Sequence, residues 1–259
     1  MARSQDSAEP GYKELLRVLR EGREATQSYE ALATSLHLLE SERPFKSVLV
    51  TSTQPQEGKT TVAVSLALTM SLRGKKTLLI DADFRRPKLH RVLDLPNARG
   101  FADVLGGIVG PQEVIQTFRL GPADSGPVRV LDAITSGKVS HSTIEALSSP
   151  KLRDMLDYLK GLYDAVLLDS PPVLAVSDPL LLAPMVDGVL LVMNAGMAER
   201  DVKRAVERLG QAGGRILGVV INRFDEKLHG PGFHPYFGDY GHVAPDRRGD
   251  HGSAKDHGD

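Results

Sequence analysis

The chain has 259 residues, of which 41% are hydrophobic and 25% are charged, a composition that excludes a disordered chain, a collagen repeat and a coiled coil. Its 32 Lys and Arg residues nearly balance its 33 Asp and Glu residues, so no bulk electrostatic attraction to nucleic acid or anionic lipid is expected. Because the chain has no cysteine, disulfides, thiolate zinc sites and a cysteine nucleophile are excluded.

Residues 1–44 predict an N-terminal helical segment. Apolar side chains recur every three or four residues from Ala25 to Leu39, which predicts one amphipathic helix that ends before Pro44. The polar start has no apolar run typical of a secretory signal, and no stretch approaches the roughly 18 apolar residues of a membrane helix. We therefore expect a soluble, cytoplasmic protein.

Residues 45–225 predict one doubly wound α/β domain. Short apolar runs without clean alternation are typical of strands buried on both faces, and helical segments lie between several of these runs. This order predicts a mostly parallel sheet covered by helices on both sides. The predicted strands are SVLVTS, KTLLIDAD, VRVLDAI, DAVLLDS, DGVLLVM and ILGVVIN.

The turn after the first predicted strand has the features of a phosphate-binding loop. It ends in Gly58, Lys59, Thr60 and Thr61 at the start of a helix, where several backbone N–H groups can surround one anion. The glycine lets the backbone approach phosphate, the lysine supplies charge to the β- and γ-phosphates, and the threonines are placed for Mg²⁺ and the α-phosphate. Thr53 stands where the pattern G-x-x-x-x-G-K-[ST] has its first glycine. The alternative is a capped helix with a surface lysine, but the context favours a mononucleotide site.

Polar residues end three other predicted strands. Asp81 and Asp83 close one strand, and Asp169 closes another. Because ligands of open α/β sheets bind beyond the carboxyl ends of strands, these carboxylates are predicted to hold Mg²⁺ or to accept a proton from an attacking hydroxyl. The alternatives are aspartates that cap the next helix and, for Asp169, a structural ion pair. Asn222 ends the last strand, where it is placed either to contact adenine or to serve as a cap or turn residue.

Residues 226–259 differ in composition from the rest of the chain. Val243 is the single aliphatic branched residue after Leu228, and five of the eight histidines lie in this segment. Such a segment cannot bury enough apolar area to offset the entropy lost on ordering. It is predicted to be a flexible tail.

Four motifs together resemble those of the bacterial tyrosine kinases of capsule and exopolysaccharide synthesis, the CpsD- and CapB-like BY-kinases. They are T-S-x-x-P-x-E-G-K-T-T at 51–61, I-D-A-D-F-R-R-P at 80–87, D-S-P-P at 169–172 and V-I-N-R at 220–223. The resemblance covers about residues 25–225 and implies a P-loop NTPase-like fold. Related ATPases that position septa or plasmids usually carry a second lysine early in the turn, where this chain has none between positions 53 and 56. That difference favours the kinase.

The resemblance implies an ATP- and Mg²⁺-dependent protein-tyrosine kinase that regulates polysaccharide polymerisation or export. It implies roles for individual residues as well. The implied catalytic residues are Lys59, Asp81, Asp83 and Asp169, with Asp81 or Asp83 as proton acceptor. The implied nucleotide contacts are Glu57, Gly58, Lys59, Thr60, Thr61, Arg85 and Asn222, and the implied metal ligands are Thr60, Asp81 and Asp169. The implied phosphate acceptors are Tyr236 and Tyr240, phosphorylated between protomers of a ring.

The resemblance also implies partners and a location. Members without a membrane anchor are activated by a membrane protein of the polysaccharide co-polymerase type, which would recruit this chain to the inner face of the membrane. The family's oligomerisation helix presents one glutamate and two arginines, whereas this chain has Gln27, Glu30 and Ala33 at those places. Two other hypotheses remain open at this point: a positioning-type ATPase switch, and a non-catalytic ATP-binding subunit of the polysaccharide machinery.

Overall fold

The computed structural model describes residues 23–120, 129–139 and 145–224. Within them, seven strands form one sheet with helices on both faces, which confirms the predicted doubly wound, mostly parallel α/β fold. The predicted flexible tail, with Tyr236 and Tyr240, lies outside the described residues, as does the chain up to residue 22.

The order of the elements alternates strands and helices, as the sequence predicts. The strands are β1 Ser47–Ser52, β2 Thr77–Asp81, β3 Gln116–Leu120, β4 Arg129–Ile134, β5 Ala165–Asp169, β6 Gly188–Asn194 and β7 Ile216–Asn222. The helices are α1 Arg23–Glu42, α2 Lys59–Leu72, α3 Leu89–Val92, α4 Phe101–Leu105, α5 Pro150–Leu162, α6 Asp178–Leu182 and α7 Glu199–Gln211. Short 3₁₀ turns are formed by Pro111–Glu113, Ala146–Ser148 and Ala183–Met185.

The strand order in the sheet is β3-β4-β2-β5-β1-β6-β7. All neighbouring strands are parallel except β3 and β4, which pair antiparallel with Gln116 opposite Ala133. The sequence does not predict β3, because its residues QTFRL form no apolar run; they alternate between half-buried and exposed up to the buried Leu120. An antiparallel edge strand on a parallel sheet is a common arrangement in α/β folds.

The register of the central strands brings the predicted acidic residues together. Asp81 on β2 lies directly opposite Asp169 on β5, and Val50 on β1 pairs with the same aspartate. The carboxyl ends of β1, β2 and β5 therefore meet at one edge of the sheet. On the other side of β1, Asn222 of β7 is in register with Asn194 of β6.

The sheet separates two apolar layers. Leu79 of β2 packs into the layer that contains α1, α2 and α3, while its neighbours Leu78 and Ile80 pack into the layer that contains α4, α5, α6 and α7. Alternate side chains of a strand point to opposite faces, so a strand that is apolar throughout requires cover on both sides. The core thus lies on both sides of the central strands. This packing holds the carboxyl ends of the strands in place next to one another.

Helix α1 is the predicted N-terminal amphipathic helix, and it ends at Glu42, before Pro44. Ala33 and Leu36 are buried in the layer shared with α2. A hydrogen bond of 2.9 Å from Arg73 Nη1 to Thr34 Oγ1 joins α1 to the C-terminal end of α2. Among the described residues, no helix has both the length and the apolar character needed to cross a membrane.

Candidate active site

The turn between β1 and α2 is held in shape by one buried carboxylate. Thr53 Oγ1 lies 2.7 Å from both carboxylate oxygens of Glu57 and donates to that group, and the backbone N–H of Gln54 donates to it over 2.8 Å. Glu57 is only 2% exposed. Thr53, which stands where the P-loop pattern has its first glycine, therefore has a structural role: its hydroxyl donates a hydrogen bond to the buried Glu57 carboxylate of the same loop. The predicted contact of Glu57 with nucleotide stays a prediction.

Two residues of this turn have left-handed backbone conformations. Gln56 has φ 66° and Gly58 has φ 84°. A side chain at position 58 would be strained at this φ, and its Cβ would overlap the Nδ2 atom of Asn222. Glycine is thus required both by the turn and by the close approach of the last strand. The carbonyl of Gly58 accepts the N–H of Val62 over 2.9 Å, which starts α2.

Lys59 extends from the first residue of α2 into the acidic edge of the sheet. Its Nζ lies 2.7 Å from Oδ2 of Asp83, 3.5 Å from Oδ1 of Asp169 and 3.3 Å from Oγ1 of Thr60. Burial by itself would lower the pKa of the Lys59 ammonium, but the carboxylates of Asp169 and Asp83 outweigh it and raise that pKa above its usual value. The lysine is therefore a permanent positive charge, nearly enclosed by protein.

Thr60 and Asp169 form the second contact of the site. The hydroxyl of Thr60 donates to Oδ2 of Asp169 over 2.6 Å. The aspartate is fully buried, and its Oδ1 is in an ion pair with the Lys59 ammonium at 3.5 Å but accepts no well-formed hydrogen bond within the described chain. Burial raises the pKa of Asp169, an effect that Lys59 and Thr60 partly offset. A buried carboxylate oxygen that lacks a donor, next to a hydroxyl, fits a hard cation such as Mg²⁺.

Mg²⁺ is often bound by one or two carboxylates together with phosphate and water oxygens, so a small protein donor set is sufficient. Among residues 23–120, 129–139 and 145–224, no group of three or more His, Cys, Asp or Glu side chains could hold a metal without other ligands. The donors present here are Thr60 and Asp169. This set fits Mg²⁺ that arrives with a nucleotide and does not fit a metal held by the protein alone.

Asp81 and Asp83 have different surroundings, although they are only two residues apart. Asp81 is fully buried, and its carboxylate accepts backbone N–H groups from Asp83 over 3.2 Å, Lys88 over 3.2 Å and Leu89 over 3.0 Å. It thereby caps α3, which was the alternative interpretation of this residue. Burial, followed by the nearby Asp169, raises the pKa of Asp81. Asp83 instead directs Oδ2 at Lys59.

Arg85 makes a bidentate ion pair with a residue that the sequence does not single out. Its Nε and Nη2 donate to the two carboxylate oxygens of Asp178 over 3.0 and 3.1 Å. Asp178 is fully buried at the start of α6, while the Arg85 side chain is 45% exposed. The pair ties the loop after β2 to α6, and the predicted contact of Arg85 with nucleotide stays a prediction. An aspartate before Pro179 predicts a helix start but gives no signal of a partner 93 residues away.

Asn222, predicted at the carboxyl end of β7, contacts the phosphate-binding turn. Its Nδ2 donates to the backbone carbonyl of Glu57 over 2.9 Å. Thr61 lies half-buried in the first turn of α2. The structure thus brings Lys59, Thr60, Asp83 and Asp169 into direct contact and places the remaining predicted residues as described above. The described region does not include the two predicted phosphate acceptors.

Comparisons with known proteins bear on the fold and the family of the chain. Residues 48–241 match the CobQ/CobB/MinD/ParA nucleotide binding domain family. The chain is 33% identical to tyrosine-protein kinase YwqD of Bacillus subtilis (strain 168) over 214 residues, which cover 82% of this chain and 86% of that protein. The match to tyrosine-protein kinase etk of Escherichia coli (strain K12), at 34% identity, covers 76% of this chain but only 26% of that longer protein.

Solved structures give the same result. The kinase domain of Escherichia coli tyrosine kinase ETK superposes with a TM-score of 0.68 and 34% identity, over 75% of this chain and 73% of that one. The chimerical protein CapA2B2 superposes with a TM-score of 0.70 and 28% identity, over 80% of this chain and 89% of that one. The family match alone includes positioning ATPases such as MinD, whereas these named relatives favour a kinase over that alternative.

Proposed function

The chain belongs to the bacterial tyrosine kinases of capsule and exopolysaccharide biosynthesis, and from this membership we propose that it transfers the γ-phosphoryl group of ATP to protein tyrosines. The observation that carries the proposal is the position of Lys59. Its ammonium group lies at the N-terminal end of α2, next to Asp83 and Asp169. A lysine at a helix N-terminus can bind phosphate, and neighbouring carboxylates can hold Mg²⁺ or accept a proton, which are roles that side chains serve in phosphoryl transfer.

The turn at 53–61 supports the proposed binding of the triphosphate. Its backbone N–H groups and the positive end of the α2 dipole favour a negatively charged ligand at this point. Lys59 would bind the β- and γ-phosphates as a point charge, and Thr61 in the first turn of α2 would donate to the α-phosphate. The negative phosphates would then compete with the aspartates for the Lys59 ammonium.

Thr60 and Asp169 are the residues proposed to hold Mg²⁺. When bound, Mg²⁺ supplies positive charge that neutralises the phosphate oxygens during transfer. The Thr60 hydroxyl and the Asp169 carboxylate already lie 2.6 Å apart, so both oxygens are available at one place. The buried Oδ1 of Asp169, without a hydrogen-bond donor in the described region, supports the assignment. Asp81 is less suited as a direct ligand, because three backbone N–H groups already use most of the acceptor positions of its carboxylate.

Asp83 is the proposed proton acceptor. Its Oδ1 accepts the backbone N–H of Arg86 over 3.0 Å, which orients the carboxylate, and its Oδ2 is held by Lys59. Once the phosphates attract the lysine, Oδ2 becomes free to accept the phenolic proton of a tyrosine substrate. Asp81 caps α3 through Oδ2, and its Oδ1 already accepts the backbone N–H of Asp83, so neither oxygen is released when the lysine moves. The geometry therefore supports Asp83 over Asp81, between which the sequence does not choose.

The phosphate acceptors are proposed to be Tyr236 and Tyr240, reached in trans between protomers. A tail that reaches a neighbouring site gains a high effective concentration when the protomers are associated. Ring formation through α1 would differ from the family pattern, because Ala33 is buried in the core while Gln27 and Glu30 are exposed. Activation by a membrane protein of the polysaccharide co-polymerase type, and recruitment through it to the inner face of the membrane, belong to the same proposal, and the similarity to the chimerical CapA2B2 supports it.

Phosphotyrosine formation tests the proposed function. The full chain is incubated with ATP and Mg²⁺, with and without the cytoplasmic segment of its membrane partner, and the modified tyrosines are mapped by mass spectrometry. We expect phosphotyrosine at positions 236 and 240 and its loss in Tyr236→Phe/Tyr240→Phe, with ATP binding unchanged. Intact ATP binding without phosphotyrosine under both conditions would contradict the proposal and favour a non-catalytic subunit.

A further inference from the structure

The last strand of the sheet is tied directly to the phosphate-binding turn through Asn222. Its Nδ2 donates to the carbonyl oxygen of Glu57 over 2.9 Å. The same nitrogen lies where a Cβ of residue 58 would be, so only glycine allows the contact. The amide therefore touches the two residues that immediately precede Lys59.

The contact fixes the direction of one peptide group. In a trans peptide the carbonyl and the N–H point in opposite directions, and the unit is planar. Because the carbonyl of Glu57 points at Asn222, the N–H of Gly58 points away from it, on the opposite side of the turn. Gly58, at φ 84°, could adopt several backbone conformations if it were not restrained. One hydrogen bond to the carbonyl thus restricts a flexible residue of the turn to one orientation.

The side chain of Asn222 is itself oriented by its surroundings. Its Oδ1 accepts the backbone N–H of Arg223 over 3.0 Å, so the oxygen faces Arg223 and the NH₂ group faces the turn. The backbone carbonyl of Asn222 accepts the N–H of Ala195 over 3.1 Å, which anchors the residue at the end of the sheet. Both ends of the amide are therefore used inside the protein.

We propose that Asn222 is a positioning residue for the phosphate-binding turn, and that it acts through the Glu57–Gly58 peptide. This role differs from the adenine contact expected from the sequence, because it acts on the phosphates and is indifferent to the base. The proposal rests on the proposed binding of ATP at the turn. The hydrogen bond from Asn222 to Glu57 is present in the nucleotide-free protein, so its effect on the turn can be measured without nucleotide.

The test compares the parent chain with Asn222→Ala, Asn222→Asp and the control Asn194→Ala. The aspartate variant keeps the size of the side chain but replaces the donor to Glu57 by a negatively charged oxygen, whereas the alanine variant removes the donor without adding charge. Asn194 is in register with Asn222 at the end of β6, and within the described region its side chain makes no hydrogen bond to the turn, so its removal should leave the turn unchanged. Two quantities are measured: binding of ATP·Mg²⁺ and of inorganic tripolyphosphate·Mg²⁺ by calorimetry, and amide hydrogen exchange of the peptide 53–61 in the nucleotide-free protein.

Asn222→Ala should weaken binding of the two ligands equally, by about tenfold, as expected for the loss of one hydrogen bond, and Asn222→Asp should weaken both at least as much because its charge also repels the phosphates. Exchange of the turn amides should become about tenfold faster because that hydrogen bond is lost, while the control stays at the parent values. A loss confined to ATP, with unchanged exchange of the turn, would overturn the positioning role in favour of a base contact. If the parent chain binds neither ligand, the proposed function fails. The exchange rates of residues 53–61 in the parent and the Asn222 variants still show whether Asn222 restrains the turn.

Discussion

Nζ of Lys59 and Oδ2 of Asp83 are 2.7 Å apart, so the residue proposed to bind phosphate is paired with the residue proposed to accept the proton. Both side chains are nearly buried, with 11% and 4% exposure. The pair also lies beside Asp169, whose second oxygen is 3.5 Å from the same ammonium. Removal of the lysine therefore leaves two buried carboxylates without the ammonium group that contacts both of them.

Lys59→Met should abolish phosphotransfer and also destabilise the fold. Breaking a buried ion pair by removing one partner typically costs about 3–5 kcal/mol, because the remaining charge stays buried. Denaturant unfolding and a phosphotyrosine assay measure the two effects separately. The matched control is Lys203→Met on α7, where an exposed lysine pairs with Glu199, and there the free energy of unfolding should change by less than about 0.5 kcal/mol. Equal stability of the two variants would show that the buried pair is not important for the fold.

Asp83→Asn should lower kcat by about 10²–10⁴-fold, the range expected for loss of a general base. The KM for ATP should not rise, because Lys59 loses a competing partner and becomes more available to phosphate. Steady-state rates measured over ATP concentrations below and above KM separate the two parameters. A rise in KM with unchanged kcat would instead assign Asp83 to nucleotide binding.

Asp81→Asn should act mainly on stability. The substitution replaces one of the carboxylate oxygens that accept backbone N–H groups by an NH₂ donor, which leaves at least one buried N–H without an acceptor. The expected cost is about 1–3 kcal/mol in the free energy of unfolding. Thermal unfolding measures it, with Asp154→Asn on the surface of α5 as the control. A large loss of kcat at unchanged stability would favour Asp81 as the proton acceptor.

Thr53→Gly introduces the glycine that the strict P-loop pattern has at this position, yet it should lower the free energy of unfolding. The Glu57 carboxylate would lose its hydroxyl donor while staying buried, and the added backbone freedom would favour the unfolded chain. We expect a loss of about 1–3 kcal/mol in the free energy of unfolding and no gain in affinity for ATP. Thr53→Ser keeps the hydroxyl and should stay close to the parent in both measurements. Tighter binding of ATP by the glycine variant would show that the threonine is not a structural element of the turn.

Asp187 should make the stability of the protein depend on pH. It lies at the amino end of β1, at the end of the sheet opposite the candidate site. Its partial burial works to raise its pKa, but the backbone N–H groups of Lys46 and Ser47 and the ammonium of Lys160 outweigh this effect and hold the pKa below its usual value of 3.8. Because the folded-state pKa is lower than the unfolded one, the stabilisation is complete above about pH 4 and is lost as the pH falls through the folded-state value. Asp187→Asn should therefore be less stable than the parent at pH 7, and the difference should shrink toward pH 3. Unfolding curves at both values test this; a constant difference would contradict it.

Local patterns were enough to predict most of the fold. The apolar runs of the six parallel strands and the turn before α2 are each defined within a dozen residues, and parallel packing then places the carboxyl ends at one edge. The sequence misses β3 because a half-exposed edge strand needs no apolar run. It also misses the pairing of Arg85 with Asp178, because that contact depends on how α6 packs against the loop after β2 and not on spacing along the chain.

The candidate site shows the same limit on a smaller scale. The sequence predicts that Lys59 and the aspartates belong to one site, since their motifs follow strands. It does not distinguish Asp81 from Asp83, because only the path of the chain toward α3 decides which carboxylate receives the backbone N–H groups. The position of Asn222 at a strand end is compatible with a contact to the adenine base. Only the structure shows that its side-chain amide donates instead to the carbonyl of Glu57.

The inward-facing carboxylate of Glu57 has a consequence for the rate of ligand capture. A turn that keeps its shape through its own bonds does not have to be ordered by the incoming molecule, so little entropy is lost at that step. Such preorganisation means that association would be governed by diffusion and orientation, and that affinity among related nucleotides would be set chiefly by how fast each one leaves.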